Sequence, residues 1–339
     1  MRFLKKLFSG FRSSQANTVS SSVGGAAQDA RLLLLGKFLK CQSVKALTAN
    51  EMALSRWTAA LGRPPALTVK ELVAEGLLTS PTLTERLESG KSLQKLKDLC
   101  REYGLKQTGK KRELAERVIA HGILEGTVPL ADGYICSTAG REVAEAYKQR
   151  KVAEKLEAHL RTADFLDAHD FAGAVKVVCD YEVRQPFQRG MGVNWSTGTE
   201  GIEYVRSIYS AQKAFLRNVL ADDLENIRLM AALDNLWGEE VEIFPDRTAA
   251  VLGCKYNIGI AARQLQFHHS HSAGGSARGG SSKSALIEYI AAQGDCAACL
   301  ARDGKRYRLD RTPELPSDDC TCELGCRCTF GFVFTDLDG

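Results

Sequence analysis

This sequence predicts a mainly α, multi-domain protein with a small cysteine-rich β-hairpin unit at its C-terminal end, and three observations carry that expectation. Apolar residues recur at helical three- and four-residue spacing through most of the chain between residues 28 and 270. Period-two alternation of the kind that marks strands is confined to the last quarter. There, six of the chain's eleven cysteines fall between Cys296 and Cys328. With 339 residues and 44% hydrophobic content, the chain can bury more than one core, and its length predicts two or three domains.

The elements follow in order. Residues 1–27 read as a basic leader, MRFLKKLFSGF, and a Ser/Gly-rich linker from Ser13 to Ala27. The leader's apolar positions are interrupted too early for a secretory core, and no apolar run reaches the roughly 18 residues a membrane span needs. A reducing, cytoplasmic setting is therefore expected. Weak contact of the leader with a membrane surface is the alternative use of its Phe and Lys residues. Residues 28–90 form a helical N-terminal region. Asp29 is placed to cap a helix over Ala30 to Gln42, and Leu67 to Leu78, after Pro64 and Pro65, reads as a short helix closed by Gly76.

Residues 91–122 stand apart from their surroundings. Ser92 is placed as the N-cap of a helix carrying Leu93, Leu96, Leu99 and Cys100 on one face, and Gly104 as its left-handed stop. Leu105 plugs the gap that follows. A second helix after Thr108 and Gly109 carries Leu114, Ala115, Val118 and Ile119 on one face, with Lys110, Lys111, Arg112 and Arg117 largely off it, and Gly122 ends it. Lys91, Lys95, Lys97, Arg101, Lys106, Lys110, Lys111, Arg112 and Arg117 face only Asp98, Glu102, Glu113 and Glu116, a local excess of positive charge. The whole chain carries only +4. Such a patch points to phosphate, though it also suits a solvated hairpin.

Between 138 and 270 lies a helical body. Thr138 to about Val183 interleaves acids and bases at helix-surface spacing, with Asp164 a candidate cap partway. A loop at Gln185 to Gly198 holds Trp195, whose presence a buried aromatic anchoring the loop explains as well as a ligand site would. Helical periodicity then resumes from Ile202 to Trp237. The Gly/Ser-rich stretch from Ser272 has Ser282 before Lys283 and Ser284, so it is a loop and not a phosphate-binding P-loop. His268, His269 and His271 do not share a helix face and read as exposed. No nucleophile elbow or other catalytic constellation is present, so the sequence leans away from an enzyme and names no catalytic residue.

Residues 284–339 form the cysteine-rich unit. Cys296 and Cys299 make a Cys-x2-Cys knuckle, and Cys320, Cys322, Cys326 and Cys328 follow about twenty residues later, the spacing of a tetrahedral zinc site. The expected ligands are Cys296 and Cys299 with two of the other four, holding a closed, structural zinc. The segment CLARDGKRYRLD reads as a hairpin turning at Asp303-Gly304, with Tyr307 and Leu309 alternating after it. Disulfides are the competing use of these cysteines and need an oxidising compartment.

Two resemblances add to this reading. Leu93, Leu96, Gly104-Leu105, Thr108-Gly109, Lys111, Glu113-Leu114 and Arg117-Val118 resemble the SAP domain, a helix-extended-helix DNA-binding fold of about this length, over about a tenth of the chain. It implies contact of Lys106, Lys110, Lys111 and Arg112 with the DNA backbone, with Arg117 on the same surface, and makes DNA the expected partner. RNA or protein is the alternative. The C-terminal quarter is similar to the cysteine motif of phage head morphogenesis (minor capsid) proteins. The matching pieces are Tyr256-Asn257 and the helix to Phe267, the strand-like stretch from Leu286, Cys296 and Cys299, Asp303-Gly304-Lys305, Pro316, and Cys326-Arg327-Cys328. It departs where that family has a histidine near the closing cysteines and this chain has Ser317-Asp318-Asp319-Cys320-Thr321-Cys322. Three functions are open at this point: a DNA-binding accessory protein, a head-assembly structural protein, and an enzyme whose site has no residue to name.

Overall fold

A computed structural model describes residues 23–122, 133–190, 193–198, 201–243, 246–267, 286–308 and 311–333. The expected leader, most of its linker, the histidine cluster and the Gly/Ser-rich stretch lie outside the described residues. The fold is mainly α, with small antiparallel sheets. It divides into two compact units. One comprises the described residues up to Lys151 with Arg184–Gln188, the other Val152–Val183 with those from Arg189 onward.

The first unit opens with α1 (Val23–Lys37), α2 (Val44–Leu47), α3 (Glu51–Leu61) and α4 (Pro65–Ala74). The leucine run of α1 explains its position, because Leu34, Leu35 and Phe38 are fully buried against Trp57, Leu61, Val69 and Leu72. Asp29 is not the cap expected for it. The helix begins six residues earlier, and Asp29 sits inside it, paired with Arg150 and with Lys151 at 3.5 Å. Asn50 caps α3 by accepting from the Ala53 N–H at 2.8 Å, and Pro65 opens α4, where its missing N–H costs nothing. α4 stops at Ala74, short of the expected Leu78. Leu78 instead joins β1 (Leu78–Thr79), antiparallel to β2 (Ile135–Cys136). Three further helices follow β1: α5 (Leu83–Gly90), α6 (Leu93–Glu102) and α7 (Lys111–Ala120).

The long α8 (Thr138–Asp167) runs unbroken past Asp164, so that residue is not a cap. The break comes at His169, whose φ is +58°, and Asp170 caps the next helix by accepting from the Gly173 N–H at 2.8 Å. In the second unit, α9 (Phe171–Val183), α10 (Ile202–Ser210), α11 (Ala221–Trp237) and α12 (258–267) close on one core. The stretch from Ile202 to Trp237 is therefore two α-helices, with a 3-10 turn at Ala214–Leu216 between them. Trp237 is buried edge-on to His159 at 4.3 Å and Tyr181 at 5.2 Å. The Trp195 loop is anchored as expected: its indole N–H donates to Arg189 O at 2.6 Å, and Arg189 pairs with buried Glu182 at 3.0 Å.

The cysteine-rich end of this unit holds β3 (Leu286–Ile290), the one-turn α13 (Ala297–Leu300), β4 (Arg306–Arg308) and β5 (Thr329–Phe332). The expected hairpin within CLARDGKRYRLD is corrected. Only its first two residues belong to α13, a turn follows over 301–304, and β4 pairs with the upstream β3 in register Ile287 to Tyr307, with β5 on the other side of β3. Three strands, not two, back the cysteines.

Candidate nucleic-acid interface and metal centre

The basic module is built from short-range rules. Ser92 accepts from the Lys95 N–H at 3.2 Å and starts α6, which ends where Gly104 takes a φ of +69° and the Leu105 N–H closes back on Cys100 O at 2.6 Å. Lys110 occupies the N-cap of α7, and since a lysine side chain cannot accept, the Glu113 carboxylate takes the Lys110 N–H at 3.1 Å. Gly109 before it has a φ of +130°, and a Cβ there would stand 2.5 Å from that carboxylate. Leu96, Cys100, Leu114, Ala115 and Val118 are buried together, with Leu99, Leu105 and Ile119 packed on them. These are the apolar positions the periodicity marks out, except Leu93, which opens α6 and is exposed.

Leu87 of α5 is buried in the same cluster and was not foreseen. The core thus extends back across residues 90 and 91, where composition alone puts a boundary. The signal that could have found it is the Thr82/Glu85 capping box, which starts a helix directly upstream of the basic patch.

Exposed Lys106 and Lys110 and half-buried Lys111 have no carboxylate partner among the described residues. Arg112 is exposed and pairs with Glu116 at 3.2 Å, a surface contact worth ~0.5 kcal/mol or less that leaves the guanidinium able to exchange partners. Arg117 has a different task. It donates to Lys106 O and, at 3.2 Å, to Thr108 O, so it braces the 106–108 connection from α7. The result is a rigid turn that presents lysines beside the N-terminal end of a ten-residue helix, a place where backbone dipoles favour anions.

The second site is made of thiols, and none of the chain's cysteines is in a disulfide. Cys296 is the N-cap of α13, whose single turn carries Cys299 round beside it. The Thr321 N–H donates to Cys296 Sγ at 3.3 Å and the Cys296 N–H to Cys322 Sγ at 3.4 Å, so the two knuckles exchange hydrogen bonds. The sulfurs of Cys296, Cys299, Cys320 and Cys322 all lie within 4.8 Å of one another, and so do those of Cys299, Cys326 and Cys328. Either group could hold a metal ion. Burial pushes the Cys296 thiol up, but the N–H groups of Thr321 and Cys299 outweigh it and hold it down at about 6. Burial raises Cys299, Cys326 and Cys328, and raises Cys322 to about 12.

The surroundings fit a metal centre. Lys255 Nζ donates to Cys320 O at 2.7 Å, Gln264 accepts from the Cys326 N–H at 2.9 Å, and Arg302 pairs with Asp319 at 2.8 Å. The hydroxyls of Tyr256 and Tyr289 are buried against the thiols, Tyr256 beside Cys320 and Tyr289 beside Cys328 and Cys299. Burial pushes both phenols up, with Cys320 adding to the effect on Tyr256 and Cys328 on Tyr289. All six cysteines expected at the metal are thus gathered in one place.

Residues 89–121 match the family model of the SAP domain, and this segment is a SAP domain. The match suggests nucleic-acid binding for this module. No curated protein and no solved structure matches the chain significantly. No helix among the described residues is long and apolar enough to cross a membrane.

Proposed function

We propose that this protein is a DNA-binding accessory protein whose SAP module grips the duplex backbone while a structural zinc unit shapes the C-terminal end. The observation that carries the reading is the juxtaposition of Lys106, Lys110 and Lys111, without carboxylate partners among the described residues, at the start of α7. In this arrangement the lysines and Arg112 neutralise phosphates, and the N–H groups at the start of α7 add a dipole contact. Base edges are not required, so sequence preference is weak and salt dependence strong. Arg117 holds the turn in shape rather than touching DNA.

Zinc is the ion that best suits four thiolates in a small closed site, since such sets are tetrahedral and structural. The N–H···S bonds to Cys296 and Cys322 support the same assignment. The test is binding of fluorescent duplex DNA, single-stranded DNA and duplex RNA to the full chain across a salt series, with metal content measured on the same sample. Duplex DNA affinity that falls steeply with salt and exceeds that for RNA is the expected result. Equal or stronger RNA binding overturns the DNA assignment, and no binding by the intact chain overturns the reading altogether.

A second reading, a head-morphogenesis-type structural protein, has one observation in its favour. Two of the pieces that the resemblance joins lie against each other: Gln264 of α12 holds the Cys326 backbone, and Tyr256 lies against Cys320. Co-assembly with a phage portal or capsid protein is its test.

A further inference from the structure

Cys299 belongs to both thiol groups, and the arithmetic of that sharing extends the zinc reading above, on which this inference rests. A tetrahedral ion bound to sulfur at about 2.3 Å spaces its ligands about 3.8 Å apart. Cys299 Sγ stands 3.6 Å from Cys320 Sγ in the first group and 3.9 Å from Cys326 Sγ in the second. Both are ligand-edge distances. The first group has four sulfurs and is complete, while the second has three, all of them fully buried.

The missing donor is beside it. Asp295 directly precedes Cys296, its side chain is 1% exposed, and its Oδ2 lies 3.2 Å from Cys328 Sγ. That oxygen also accepts the Ala292 N–H at 2.9 Å, and Oδ1 lies 3.5 Å from Arg327, whose guanidinium donates to Gln293 O at 2.7 Å. Asp295 stands at the edge of the trio, outside the set of sulfurs that are mutually within 4.8 Å, so completing the coordination requires its side chain to rotate. Fully buried Tyr289 supplies an independent observation. Its buried hydroxyl lies against the Cys328 and Cys299 sulfurs. A hydroxyl so placed can donate to a metal-bound thiolate, as outer hydrogen bonds do at metal ligands generally.

We infer that the C-terminal unit is a two-metal thiolate centre in which Cys299 bridges two divalent ions. One ion is held by Cys296, Cys299, Cys320 and Cys322, the other by Cys299, Cys326, Cys328 and Asp295. Each ion is four-coordinate, and every one of the six cysteines has a place. Binding displaces the proton of each cysteine that is still a thiol and involves no redox step.

The test is zinc content per chain of the purified full-length protein, followed by replacement with cadmium and cadmium NMR. Two ions per chain, and two cadmium signals split by coupling through the shared sulfur, are expected. The Cys326→Ser/Cys328→Ser variant should retain one ion and one signal, and Asp295→Ala should lose the second ion to a chelator first. One ion per intact chain would overturn the shared centre while leaving the single zinc site standing, whereas none would overturn both. Two signals without coupling would overturn the bridging role of Cys299. The wild-type spectrum decides this even where a variant fails to fold.

Discussion

Reversing the charge of Lys110 and Lys111 tests the DNA interface most directly. The proposed interface uses four of the module's cations for phosphate, Lys106, Lys110, Lys111 and Arg112, with Arg117 bonded to backbone carbonyls. Each neutralised phosphate contributes about −0.9 to the slope of log affinity against log salt, so four predict roughly −3.6 and removal of two leaves roughly −1.8. At about 0.1 M salt the same two contacts are worth roughly 60-fold in affinity, and reversal adds repulsion to that loss. Folding should survive, because neither lysine has an acidic partner among the described residues and a glutamate in the first turn of α7 complements the helix dipole. Fluorescence anisotropy of a labelled duplex over a salt series, with the Lys110→Glu/Lys111→Glu protein checked by thermal melting, reads both quantities. An unchanged slope with affinity within twofold of wild type would refute the assignment of this surface.

Arg117→Gln removes the brace on the 106–108 turn. DNA binding is expected to weaken with the salt slope unchanged, and a slope shallower by about 0.9 would instead make Arg117 a phosphate contact. Gly109→Ala places a Cβ against Glu113 in a backbone region that L-residues avoid. A loss of about 1–3 kcal/mol in urea unfolding is expected, and less than ~0.3 kcal/mol would contradict the geometry. His159 is buried, with Lys155 beside it, and is lowered from 6.5 to about 4 despite Glu239 at 3.6 Å. Because the unfolded chain takes up the proton first, the second unit should lose roughly 3 kcal/mol as pH falls from about 6.5 to 4, with stability fully present above that window. His159→Phe should flatten the pH profile of thermal melting there; a profile as steep as wild type would place the titration elsewhere.

What the sequence determined by itself is what nearest neighbours along the chain decide. Ser92, Gly104 and the leucines at helical spacing specify α6 and α7 because caps and i, i+3 and i, i+4 contacts act within a turn or two. The same locality made the Cys296-Cys299 knuckle legible, and it made the lysine excess countable. It misled at Asp29 and Asp164, which have the right chemistry for caps but lie inside helices. Tertiary packing carries those helices through, with Asp29 held instead by Arg150 and Lys151.

Only the tertiary structure decided the rest. Leu87 joins the core of the basic module, and Arg117 is bonded to the backbone of the 106–108 turn, because α5 and that turn fold back on α7. β4 takes its partner from β3 upstream rather than from within its own loop, and Cys299 ends beside both later cysteine pairs. Strand register and thiol grouping depend on closing loops of about fifteen residues or more, and the contacts that reward such closures are spread through the fold instead of being written in any one segment.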